Sequence, residues 1–342
     1  MKGMQIAGGK KTIFRYLLTV VLLTLLLQCK QKPHYQANIS GIDIDTVVIH
    51  RYEELLFSIN PYNLREEIDP HVETFKLFIG DEIDNPLAQQ QLFDYMTDPL
   101  IMELYEESMK VWSDLSDLEA ELHKAFRYYR YHFQSEPIPR MFSYISGLDY
   151  TLPIKYADNN LVIALDLYLG SDFQTYRQIG IPAYQAFRMA PDFLLVDIMR
   201  VMAEKHLQRE AVIPESFLDY MLYEGKMLYF IDCMLPAYHD SLKIGYTSNQ
   251  LAWMQQNRGY VWSYYLQNEF LYSSERQIIT RFIGDAPFTS AFSRGSAPRT
   301  ASWIGWQIVR EYMRRHPDLS LQDLIQNHDS AAILAASRFR GR

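Results

Sequence analysis

Two carboxylates in the chain stand among residues that give them no obvious partner. Glu224 lies in the run Tyr220-Met221-Leu222-Tyr223-Glu224-Gly225-Lys226-Met227-Leu228-Tyr229-Phe230, helical in pattern and rich in aromatic and aliphatic side chains. A carboxylate buried there without a partner costs several kcal/mol, so it needs a counter-charge or a wet cleft. Lys226 is two positions on and points elsewhere on a helix, so the partner must come from tertiary structure. Asp166 ends the apolar run Leu161-Val162-Ile163-Ala164-Leu165 and raises the same question. For both, structural pairing is the plainer reading and a binding or catalytic site the sharper one.

The common catalytic templates are missing. The chain contains no G-x-G-x-x-G, no G-x-x-x-x-G-K-[ST] and no G-x-S-x-G. It also lacks H-E-x-x-H, in which helical spacing sets two imidazoles on one face with a glutamate poised as base. The histidines stand at 34, 50, 71, 123, 132, 206, 239, 316 and 328, and no two are three to five residues apart. Glu119 and His123 do have i, i+4 spacing, but beside Glu121 and Lys124 they read as a solvated face. Cys233, in Tyr229-Phe230-Ile231-Asp232-Cys233-Met234-Leu235, reads as a small buried hydrophobe.

The other cysteine, Cys29, closes an export signal. Lys2, Lys10, Lys11 and Arg15 form a positive segment, and Tyr16 to Leu27 is almost wholly apolar. Those residues would span roughly 18 Å as a helix, too short for a hydrocarbon core of about 30 Å. Leu26-Leu27-Gln28-Cys29 resembles the lipobox of bacterial lipoproteins, with Gln28 in place of the usual small residue. The expected organisation is a signal peptide over 1–28, a tether over 29–40 and a single domain over 41–342. Three acyl chains on Cys29 would make anchoring effectively permanent. Lys30-Gln31-Lys32 lacks the acidic tag of surface-exported lipoproteins, which favours the outer membrane facing the periplasm.

The whole chain carries a formal charge of −8, and removing the four leader cations leaves the remainder near −12. That balance argues against nucleic acid as a partner. Apolar residues make up 48% of the chain, enough for a large core, and 25 Tyr and 18 Phe suggest wide packing layers or an interaction surface.

The elements that must position these residues follow from periodicity and caps. Ile42 to Ile49 alternates and reads as a strand. Helical patterns follow over 51–59, 71–79, 85–95, 98–112 and 116–133. Pro137 and Pro139 end that series; 141–145 and 161–166 read as strands. Helices then cover 192–207, 214–232, 248–272, 275–283, 300–315 and 320–326. The fold class is α+β, mostly helical, with one small sheet.

Several segments together resemble the gliding-motility lipoprotein B (GldB) family of the Bacteroidota. They are Ile49 to Phe57, Ile138-Pro139 with Tyr144 to Gly147, Leu165 to Gly170 with Tyr176, Tyr223 to Tyr229, and Arg299 to Val309. The resemblance implies an envelope lipoprotein of the gliding machinery or of the type IX secretion system that shares its components. From Asp197 onward the blocks also resemble zincin-like metallopeptidases, in which an H-E-x-x-H helix precedes an E-G helix and a segment like W-I-G-W-Q-I-V. Glu224-Gly225 and Trp303 to Val309 match the second and third parts. The first reads Val196-Asp197-Ile198-Met199-Arg200-Val201-Met202-Ala203-Glu204-Lys205-His206, with arginine or aspartate where a histidine ligand should stand. The resemblance therefore implies a zincin-like body with no metal or other cofactor and a groove near Asp166, Tyr168, Glu224, Arg299 and Trp303. The implied role is a non-catalytic binding or assembly component whose partners are the membrane and envelope proteins. The alternative is a zinc-dependent peptidase with atypical ligands such as Glu224 and His206, and a third reading is a structural subunit packing on other machine components.

Overall fold

A short mixed sheet and a helical body follow from the alternation between apolar runs and capped helix starts. The computed structural model describes residues 35–341, so the leader and Cys29 lie outside the described residues. Ala37–Arg342 pack as one compact unit. Its strands are β1 (Ile49–Arg51), β2 (Arg140–Tyr144), β3 (Ile154–Ala157) and β4 (Asn160–Ala164), in the order β1-β2-β4-β3. β1, β2 and β4 run parallel, and β3 is antiparallel to β4 at one edge.

The strand expected from Ile42 to Ile49 shrinks to Ile49–Arg51. Residues 42–48 retain much of the in-and-out alternation, but among the described residues no strand pairs with them. Instead Arg127 donates to the carbonyls of Ile39 and Ile42 at 2.6 and 2.8 Å, and the N–H of Ile49 donates to Glu119 Oε1 at 2.8 Å. Glu119 is thus half-buried and employed, not part of a solvated face.

The helices in chain order are α1 (Tyr52–Ser58), α2 (Leu64–Ile68), α3 (Val72–Ile79), α4 (Pro86–Thr97), α5 (Pro99–Val111) and α6 (Ser116–His132). Then come α7 (Gln174–Gln178), α8 (Ala183–Ala186), α9 (Pro191–Arg209), α10 (Phe217–Met234), α11 (Asp240–Ile244) and α12 (Ser248–Gln267). The series ends with α13 (Arg276–Ile283), α14 (Thr300–Arg315), α15 (Leu321–Gln326) and α16 (Ser330–Ser337). Capping boxes start three of them: Ser216 with Asp219 for α10, Thr247 with Gln250 for α12, and Ser320 with Asp323 for α15. The helix expected over 248–272 stops at Gln267, because Glu269 turns left-handed before a single 3₁₀ turn over Phe270–Tyr272.

The core is centred on α10 and α14, which cross without side chains between them. A Cβ on Gly305 would lie 1.8 Å from the Met221 carbonyl oxygen, and one on Gly225 would lie 2.5 Å from the Gly305 carbonyl. Only two glycines permit that approach. About two turns along α10 the pair is fixed by charge. Asp232, fully buried, accepts from Lys243 Nζ (2.8 Å), Trp306 Nε1 (2.8 Å) and two nitrogens of Arg310 (both 2.7 Å). Arg310 reaches on to Asp240, so every charge in the cluster has an opposite neighbour. Cys233 is buried beside it, and burial pushes its thiol pKa well up.

Candidate functional site

Helix α9 forms the floor of a cavity of about 720 Å³, within the usual size range of ligand sites. Asp197, Arg200, Val201 and Glu204 line it, and their spacing of three, four and seven puts them on one helix face. One wall is the segment Tyr150–Ile154, which leads into and begins β3. The rest of the lining includes Ile181, residues 183–185 and 187–189, Gly245, the start of α12, residues 285–287, Pro298 and Arg299.

Three arginines enter the cavity. Arg188 pairs with Asp197 at 2.5 Å, and Asp197 also accepts from the Tyr168 hydroxyl at 3.1 Å. The Asp197 charge raises the Arg188 pKa. Arg299 is buried, donates to the Ile244 carbonyl and pairs with the exposed Asp285 at 3.2 Å. Its backbone is left-handed, φ 45°, an unfavourable state for arginine. The Tyr246 hydroxyl holds that turn by donating to the carbonyls of Pro298 and Arg299. Arg188 and Arg299 converge over Gly245: a Cβ there would lie 3.0–3.1 Å from Arg188 Cδ and Nε and from Arg299 Nη2.

The third arginine, Arg200, stands 3.6 Å from Glu224 on α10. Glu224 lines a second cavity of about 590 Å³ with Val212, Ile213 and Tyr223, so the ion pair joins the linings of the two cavities. Burial raises the Glu204 pKa, opposed by Arg200 and assisted by Glu224 and Asp197. Nε and Nη2 of Arg200 and Nε of Arg188 are buried without a hydrogen-bond partner.

Of the groove residues expected from the sequence, Tyr168 and Arg299 line the large cavity and Glu224 borders it through Arg200. Asp166 does not line it. Its carboxylate is fully buried and accepts from the N–H of Ser146 (2.8 Å), the hydroxyl of Ser146 (2.9 Å) and the N–H of Leu148 (2.8 Å). It is a staple for the turn after β2. Trp303 is buried in α14 and also falls outside the lining. Arg188, Gly245 and Asp285 come from loops and short helices without periodicity, so no local signal marked them. Glu204 was visible as the residue four after Arg200 on the same helix.

The donor set does not suit a metal. Arg200 and Glu204 occupy i and i+4 of the helix that faces Glu224, and the Arg200 guanidinium repels a cation brought to that carboxylate. Among the described residues, no group of three or more His, Cys, Asp or Glu side chains could hold a metal ion. His206 does not join Glu224: its Nε2 lies 3.0 Å from the Tyr129 hydroxyl, and its ring stacks on Phe133 at 4.0 Å. Burial depresses its pKa to about 4.

The family model for gliding motility protein GldB matches residues 32–341. The chain belongs to the GldB family. No curated protein and no solved structure matches it. Among the described residues of this GldB-family chain, no helix is long and apolar enough to cross a membrane.

Proposed function

We propose that this GldB-family chain is an envelope lipoprotein, held by a lipid on Cys29 to the outer membrane and facing the periplasm. In this reading residues 1–28 are a signal peptide, 29–40 a tether and 41–342 a single domain. The domain serves a gliding-motility or type IX secretion machine as a non-catalytic binding component. The observation that carries the non-catalytic reading is the Arg200–Glu224 pair at the cavity floor. A guanidinium stands against the carboxylate that a zincin-like arrangement, which the sequence resemblance implies, would offer to zinc. The cavity supports binding by its size, its apolar lining residues and its few polar groups.

The test is a photo-crosslinking amino acid placed at Leu152, which is exposed on the cavity wall, in cells expressing the full chain. A discrete adduct with an envelope protein is expected, together with acylation of the mature N-terminus that Cys29→Ser abolishes. Stoichiometric zinc in the purified protein, lost in Glu224→Ala, would overturn the non-catalytic reading.

A further inference from the structure

The inference deepens the binding role just proposed and rests on it. Register shows what β3 offers at its outer edge. The Ala164 N–H donates to the Pro153 carbonyl at 3.0 Å, and Lys155 faces Val162 two residues on. Antiparallel pairs alternate, so Pro153, Lys155 and Ala157 direct their backbone groups at β4. Leu152, Ile154 and Tyr156 therefore direct theirs outward, on the side where the sheet order ends. Leu152 and Ile154 also line the cavity. A terminal strand of a sheet beside an apolar groove is the arrangement that accepts an extended peptide as an added strand.

The charges select among peptides. In the same lining Arg188 and Arg299 converge over Gly245, and Arg200 and Glu204 stand one turn apart on α9. Burial lowers the Arg299 pKa, and Arg188 and Arg200 lower it further, so the guanidinium groups repel one another across this end of the cavity. Nε of Arg188 and Nε and Nη2 of Arg200 are buried and have no hydrogen-bond partner, so part of the donor capacity of these two side chains is unspent, and a planar anion that draws them round can take it up. Asp197 is held by Arg188 and Tyr168, Asp285 pairs with Arg299, and Glu224 and Glu204 lie near Arg200, but none of them hydrogen-bonds to those nitrogens. The left-handed backbone at Arg299 is an additional cost sustained to keep its side chain in this position.

We propose that the cavity captures an extended peptide bearing a carboxylate, with the backbone added to the edge of β3 and the carboxylate seated among Arg188, Arg200 and Arg299. A free chain end and an acidic side chain share that chemistry, and the test separates them.

Purified full-length protein in detergent is titrated with three fluorescent hexapeptides of alternating valine and serine. One ends in a free carboxylate, one in an amide, and one carries glutamate at an amidated end. Either carboxylate peptide is expected to bind at least tenfold more tightly than the neutral amide. The preference is expected to vanish in Arg188→Gln and Arg200→Gln and to survive in Arg188→Lys, with circular dichroism confirming that each variant folds. N-methylation of alternate peptide bonds is expected to weaken binding of all three. Equal binding of the neutral and charged peptides would overturn the carboxylate assignment while leaving a peptide groove. A preference that persists in both glutamine variants would overturn it as well. No binding by any peptide, with a crosslinked partner still recovered through Leu152, would overturn the peptide proposal but not the binding role. No binding and no crosslink would overturn both.

Discussion

Gly305→Ala is expected to weaken the fold far more than its chemistry suggests. In the middle of a helix, alanine for glycine normally favours the helix by about 1 kcal/mol. Here the added methyl would meet the Met221 carbonyl oxygen at 1.8 Å, where ordinary contact begins near 3.4 Å. The helices would have to part by roughly 1.6 Å at their crossing, against backbone and not against a movable side chain. That displacement also stretches the 2.7–2.8 Å bonds by which Trp306 and Arg310 of α14 hold Asp232 of α10. A net loss of about 4 kcal/mol or more is expected, at the severe end for a single substitution. With a urea m-value of about 2 kcal/mol/M, the midpoint falls by about 2 M. Urea titration followed by circular dichroism and tryptophan fluorescence reads it directly. The control is Ser302→Ala on the same helix, whose buried hydroxyl has no partner and whose loss is expected to be nearly neutral. A Gly305→Ala midpoint equal to or above that of the parent would refute the close-crossing argument.

Asp232→Asn keeps the shape but removes the negative charge that Lys243 and Arg310 share. It is expected to cost about 3–5 kcal/mol in the same titration. Asp166→Ala removes the acceptor of three hydrogen bonds in the turn after β2 and is expected to cost about 2–3 kcal/mol, with earlier proteolysis between Ser146 and Tyr150. Burial depresses His132 and His206 to about 4, so the unfolded chain takes up their protons first as pH falls. Their stability contribution, intact above pH 6.5, is lost progressively down to about 4, at up to about 1.4 kcal/mol per pH unit for each. In urea titrations between pH 7 and 4.5, His206→Gln is expected to show a visibly shallower loss than the parent.

The two segments that were most distinctive in sequence turn out to meet each other. Glu224-Gly225 and Trp303 to Val309 contain the glycines of the α10–α14 crossing, so their legibility came from a backbone constraint. Apolar periodicity and capping boxes also placed most long helices, because both signals are local. The alternation of Ile42 to Val48 was real but misleading: pairing depends on a neighbour strand that the segment itself does not reveal. β3 went unread although Asp158 and Asn159, both with positive φ, form the two-residue turn that joins it to β4. The site was only half legible. Arg200 was visible as a departure from a metal-binding helix, whereas Arg188, Gly245 and Asp285 gather from three separate connections whose meeting is a tertiary fact.

The α10–α14 crossing also sets a schedule for the newborn chain. Asp232 cannot be neutralised by Arg310, nor Gly225 covered by Gly305, until the chain has emerged in N-to-C order through residue 310. Until then α10, buried along nearly its whole length in the finished fold, has no α14 to cover it. Closing a loop of some eighty residues costs about 4 kcal/mol in chain entropy, little more than a loop half as long would, so the delay comes mainly from waiting for α14 to arrive. A chain interrupted before α14 would present that bare apolar helix to chaperones and proteases, and a complete one would lock abruptly.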